Sequence, residues 1–155
     1  MTCILCSGVE GDPEMGRVQV WEDDLWRLTT SVHPVETVAG FSMLEPRRHI
    51  EDITHLDGEE ARSFGETIGR VTAAIKEATG AELVYVYVFG GHVPHLHVHL
   101  APHKDGDSLN DSMTKGEVEE RPLPGGAVAI VSKDFPAAPI EELHDAAARI
   151  RGALA

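Results

Sequence analysis

An α+β fold, with helices packed on an antiparallel sheet, is what this 155-residue sequence predicts. Three observations carry that expectation. Short segments rich in β-branched and aromatic residues precede and follow one long amphipathic stripe. A second amphipathic stripe comes late in the chain. No internal repeat and no separating linker interrupts the pattern. The length suits one domain over residues 1–155 with a core of its own.

The elements follow in order. Residues 17–21 and 25–28 predict two strands around the acidic turn Glu22-Asp23-Asp24. Residues 41–45 predict a third, ended by Pro46, which has no N–H to give a ladder. Residues 32–40 carry turn formers without periodicity. Asp57 is placed to cap a helix, with Glu60 for a capping box and Leu56 and Ala61 as a hydrophobic staple. Phe64, Ile68, Val71, Ile75 and Ala78 then recur at spacings of four and three, and Gly80 is placed to stop the helix. Residues 83–89 read as a buried strand. Residues 104–126 are polar and rich in Gly, Asp and Ser, so they predict a loop, and 127–132 predict one more strand. Pro139 precedes a second helix in which Ile140, Leu143, Ala147, Ile150 and Leu154 share a face.

Charge and hydropathy bound the partners. A formal net charge of −13 argues against a nucleic-acid polymer, which demands basic patches, but not against a small phosphorylated ligand held by local donors. The apolar runs are too short to span a membrane. Met1-Thr2-Cys3-Ile4-Leu5-Cys6 has no basic region followed by a long apolar stretch, so the expected compartment is cytoplasmic.

Gly90-Gly91-His92-Val93-Pro94-His95-Leu96-His97-Val98-His99-Leu100-Ala101-Pro102-His103 holds five of the nine histidines. In an extended strand His95, His97 and His99 share one face and Leu96, Val98 and Leu100 the other. The residues alone leave three readings: a structural role, a transition-metal site, or nucleophilic and acid–base chemistry near neutral pH. Cys3 and Cys6 are likewise a redox pair, half of a zinc site, or idle thiols.

His95-Leu96-His97-Val98-His99-Leu100-Ala101 resembles the His-φ-His-φ-His-φ-φ signature, with φ apolar, of the histidine triad (HIT) family of nucleotide hydrolases and transferases. Cys3-Ile4-Leu5-Cys6 is similar to the opening of many bacterial members, Trp21-Glu22-Asp23-Asp24 to their acidic turn, and Glu45-Pro46-Arg47-Arg48-His49-Ile50-Glu51-Asp52-Ile53 to a further family segment. The resemblance covers residues 3–107 and leaves 108–155 without a motif. It implies a five-stranded antiparallel sheet, one long helix and a homodimer. It also implies that His97 attacks the α-phosphorus of a nucleotide to form a nucleotidyl-histidine, with His99 donating to a non-bridging oxygen. Cys3, Cys6, His49 and His95 would hold a structural zinc.

The chain also departs from the family pattern. Ser31 stands where many members place a ribose-binding Asp, and residues 35–40 are about two longer than usual. Gly91 and His92 occupy positions usually held by Gln and Ser or Thr. Ser31, Gly90, Gly91 and His99 are the expected substrate contacts, and His92 a second acid for the leaving group. His103 and Lys104 either hold a phosphate tail or are solvated; His55 and His144 read as surface residues and His33 has no role. The expected function is a hydrolase or nucleotidyl transferase acting on a nucleoside phosphoramidate, dinucleoside polyphosphate or related conjugate. The alternatives are a nucleotide-binding regulatory module with little catalysis, and metal storage by the histidines.

Overall fold

A computed structural model describes residues 2–109 and 117–155. After a 3-10 segment at Leu5–Glu10 come the short turn α1 (Asp12–Met15) and strands β1 (Arg17–Glu22), β2 (Trp26–Ser31) and β3 (Ser42–Pro46). The long helix α2 (Gly58–Thr79) leads to β4 (Leu83–Tyr87) and β5 (Val98–His103). The hairpin strands β6 (Val118–Pro122) and β7 (Val128–Ser132) precede helix α3 (Ile140–Leu154). The main sheet has the order β1-β2-β3-β5-β4 with every pair antiparallel, and β6-β7 forms a separate ribbon. Among the described residues no helix is long and apolar enough to cross a membrane.

Strand alternation sorts the two faces of the sheet. Leu28, Leu44 and Val98 stand opposite one another across β2, β3 and β5, and all three are buried. They pack with Trp26, Leu100, Val71 and Ile75 of α2, and Ala147 and Ile150 of α3 in one core. The Trp26 indole N–H finds an acceptor in Ser63 Oγ at 2.9 Å. The opposite face carries the row Thr29, Met43, His99 and Tyr87, paired in register across β2, β3, β5 and β4. The helices seal one face, and the other is left for chemistry.

Four buried charges tie the N-terminal turn to this sheet. Arg17 bonds Asp12 at 2.8 Å and both oxygens of Glu45 at 2.9 and 3.0 Å. Arg27 closes the ring, reaching Glu45 at 2.9 Å and Asp12 at 2.5 Å, with Gln19 accepting from its Nε. Each charge faces two opposite ones, which is how four ions tolerate removal from water.

Five expectations are corrected. Residues 83–89 are not a buried strand: β5 inserts between β3 and β4, so β4 sits at the sheet edge with Leu83 56% and Val86 46% exposed. The capping box does not form. Asp57 is the N-cap residue but makes no cap hydrogen bond, because Arg48 draws in both carboxylates, Asp57 at 2.7 Å and Glu60 at 3.1 Å. The histidine strand starts at Val98, so His95 and His97 precede it; the N–H of Leu96 goes to Ile50 O at 2.7 Å. Residues 118–122, expected within a loop, form β6, since Val118 to Pro122 find partners in β7. Residues 110–116 of that expected loop lie outside the described residues. His103 neither reaches the triad cavity nor lies free in solvent; it stacks on Tyr85 and bonds Asp107 at 2.8 Å.

Candidate functional site

Two sites flank His95. On one side, Cys3, Cys6, His49 and His95 bring one ligand atom each to within 4.8 Å of one another. The sulfur-to-nitrogen separations are 3.2 Å for Cys6 to His49 and 3.4–3.5 Å for His95 to the two cysteines. Ligands on a tetrahedral zinc at ordinary Zn–S and Zn–N lengths lie about 3.5 Å apart, so the spacing fits that ion. The proton inventory fits as well. His95 Nε2 donates to Pro46 O at 2.9 Å, which leaves Nδ1 with its lone pair toward the cysteines. Burial pushes the Cys6 thiol up to about 11, with help from Cys3 and the Glu45 charge, and a dication at the centre reverses that penalty. His95 is fully buried, and this lowers its pKa and keeps the imidazole neutral.

On the other side, the backbone of the same residue orients His97. Its Nδ1 lies 2.6 Å from His95 O, and a carbonyl only accepts, so Nδ1 carries the proton and Nε2 keeps the lone pair. His97 is half-buried and lines a cavity of about 690 Å³. His99, edge-on to His97 at 5.2 Å, stacks on Tyr87 at 4.8 Å between the rings of Phe41 and Phe89. His99 Nδ1 and Thr29 Oγ1 are buried and have no hydrogen-bond partner among the described residues. Both residues line the cavity with other atoms.

The cavity gathers His92, His97, His99, Ser31, Gly90 and Gly91. It also gathers groups the sequence reading passed over. His33, left without a role, is on the lining. Glu36 enters from the longer 35–40 segment, where its carboxylate accepts from the Thr37 and Val38 N–H groups at 3.1 and 3.3 Å. Burial raises its pKa, and the Ser31 hydroxyl partly counters the rise. The added length of residues 35–40 was the only available signal for Glu36. The β6–β7 hairpin forms a wall; β7 was expected as a strand over residues 127–132, but nothing in the local pattern marked β6 or the place of the hairpin beside the triad.

The pH response of His99 is a direct test of this burial. Desolvation, with the charge of His97 next, lowers it to about 3. A histidine depressed on folding stabilises fully above its unfolded value near 6.5, and that contribution is lost as pH falls toward about 3. His99→Gln is expected to reduce the loss of stability between about pH 7 and pH 5, compared by urea midpoints with the parent chain. Parallel declines in the two proteins would show that His99 is not held neutral by the fold.

Comparison with known proteins bears on the family and the fold. Residues 13–106 match the family model of the HIT domain. An uncharacterized HIT-like protein of Mycobacterium tuberculosis is 25% identical over 126 residues, covering 78% of this chain and 83% of the relative. A zinc-bound histidine triad family protein of Mycobacterium smegmatis superposes with a TM-score of 0.66 at 21% identity, over 99% of this chain and 94% of the other. A hypothetical histidine triad nucleotide-binding protein of Sulfolobus tokodaii gives 0.67 at 20%, over 98% and 91%. At these identities the two structures speak for the fold.

Proposed function

This chain belongs to the HIT family, and we propose that it is a nucleotide hydrolase or nucleotidyl transferase acting at the α-phosphorus through a covalent intermediate on His97. The observation that supports this most is the 2.6 Å contact from His97 Nδ1 to His95 O beside an open cavity. It fixes the tautomer a nucleophilic imidazole needs. The Nε2 lone pair forms the N–P bond as the bond to the departing group breaks and its electron pair leaves with that group. The departing atom takes a proton, and His92 on the cavity lining is the donor we assign. Water or another hydroxyl then forms the O–P bond, the N–P pair returns to Nε2, and the acceptor's proton passes to His92. His99, neutral by burial, donates an N–H to a non-bridging oxygen.

Cys3, Cys6, His49 and His95 would hold zinc as a closed site without an open position, which supplies cross-linking rather than reaction chemistry. Incubation with nucleoside phosphoramidates and a diadenosine polyphosphate, followed by intact and peptide mass analysis, tests the intermediate. A nucleotidyl adduct on His97 supports it. Binding with neither adduct nor turnover would instead favour a regulatory nucleotide-binding module, a reading prompted by Ser31 standing where a carboxylate is usual.

We extend the proposal to a homodimer formed through β4. Among the described residues nothing pairs with its outer edge, and Leu83 and Val86 expose apolar surface there. Such an edge demands cover. Val86→Lys is expected to shift the chain from dimer to monomer in sedimentation, and an unchanged sedimentation profile would discard this interface.

A further inference from the structure

Cys3 and Cys6 sit on one tight turn, closed by the Cys6 N–H donating to Cys3 O at 3.1 Å. Their sulfurs lie within 4.8 Å of each other, and the chain has no other cysteine. Cysteines three apart on such a turn have their Cα atoms inside the span a disulfide bridges, so the bond needs side-chain rotation and little backbone movement. Cys6 is exposed and Cys3 half-buried. An oxidant therefore meets Cys6 first, and Cys3 is placed to resolve the product. The redox and metal-ligand readings of this motif use the same two sulfurs, one state at a time.

Ile4, between the two cysteines, carries the hairpin. Two glycines clasp it: a Cβ on Gly125 would stand 2.5 Å from Ile4 Cβ, and a Cβ on Gly11 would stand 2.8 Å from Ile4 O. Gly125 lies in the turn that joins β6 to β7, at φ +77°. Contacts this close have no slack, so a small movement of Ile4 disturbs the seat of the hairpin. Ala127, on the same turn, is buried with Leu5 and Val93, and Leu123, Cys3 and Ile4 pack against that cluster. From this anchor the hairpin presents Val118, Leu123, Val128 and Ile130 to the cavity of His97.

We propose that Cys3 and Cys6 form a reversible thiol–disulfide switch, whose disulfide state frees the hairpin that walls the cavity of His97. The proposal rests on the four-ligand metal reading for its reduced state. Coordination would keep both sulfurs as thiolates, the form that reacts with peroxides. With hydrogen peroxide as oxidant, the Cys6 sulfur attacks one peroxide oxygen. The O–O bond breaks, hydroxide departs, and Cys6 becomes a sulfenic acid. The Cys3 thiolate then attacks the Cys6 sulfur, the S–S bond forms, and the S–O bond breaks with loss of a second hydroxide. The two sulfurs give two electrons to the peroxide, and two solvent protons turn the hydroxides into water. A disulfide draws the sulfurs to about 2.05 Å and leaves neither as an anionic ligand, so His49 and His95 alone cannot hold a closed site. The turn then loses its ties to the sheet, and Ile4 its fixed place beside Gly125. A dithiol reverses the step.

The test treats the zinc-loaded full chain with hydrogen peroxide and reads intact mass after alkylation, zinc release to a chromogenic chelator, and amide hydrogen exchange. One disulfide and one freed zinc per chain are expected. Exchange across residues 117–132 should quicken about tenfold or more while α2 stays protected, and dithiothreitol with zinc should restore the parent pattern. Ile4→Ala, which removes the seat but neither sulfur, should keep its zinc and show the loosened hairpin before any oxidant is added. A disulfide with unchanged exchange over 117–132, exchange that rises throughout the chain, or zinc retained beside the disulfide overturns the switch. So does an Ile4→Ala hairpin as protected as the parent's, or oxidation that ends at sulfinic acid. A reduced chain that binds no zinc sinks the metal-site reading alone, and exchange on disulfide formation then decides the switch. None of these readouts uses turnover, so the His97 mechanism stands or falls separately.

Discussion

Substitution of His97 by alanine is expected to abolish the nucleotidyl adduct and to lower turnover by about 10⁴-fold or more, with little change in stability. The kinetic effect is large because no other lining histidine shares its arrangement. His99 is stacked in an aromatic box and depressed to about 3, and its Nδ1 is buried without a partner. His92 is exposed on the cavity lining, with no carbonyl holding a ring nitrogen among the described residues. The structural effect is small because His97 faces the cavity rather than the core formed by Val98 and Leu100. Its lost hydrogen bond leaves His95 O beside a cavity that water can enter, so the cost stays near 1 kcal/mol. Turnover, adduct and thermal melting of the same preparation check it. Undiminished turnover in a folded His97→Ala chain would remove the nucleophile from the mechanism.

Cys6→Ser is expected to lower bound zinc from one per chain to a small fraction and to destabilise the protein by several kcal/mol, a fall in Tm of about 10 °C or more. The cluster joins segments far apart in sequence, the N-terminal turn, the stretch after β3 and the approach to β5, so an ion there closes two long loops at once. Serine keeps the shape but not a thiolate. The loss should spread through Ile4 and Leu5 to the hairpin, which packs on them through Gly125 and Ala127. Elemental analysis, melting and protease cleavage within residues 117–132 measure the three consequences. A variant that melts like its parent and retains its zinc would show that the four residues do not act as a metal site.

The local sequence was most informative where periodicity speaks. The stripe from Phe64 to Ala78 became α2, the stripe from Ile140 to Leu154 became α3, and Gly80 ended the first of these in the left-handed region at φ +69°. The alternation around Val98 and Leu100 placed His97 and His99 toward the cavity and the aliphatic residues in the core. Cys3, Cys6, His49 and His95 were legible as a set only through resemblance to a family, since their spacing along the chain spans 92 residues.

What the amino-acid sequence determined by itself was therefore the two amphipathic helices, most of the main-sheet strands and the alternation from His97 to Leu100, because a backbone repeat of 3.6 or 2 residues is a local property. Whether a strand lies at an edge, as β4 does, whether Asp57 caps its helix or joins Arg48, and whether the charged stretch 118–122 pairs at all were decided only when distant segments met. The ring of Asp12, Arg17, Arg27 and Glu45 and the hairpin wall over His97 belong to the same class. Their energy comes from desolvation and packing between elements, and those terms have no value until the tertiary neighbours are in place.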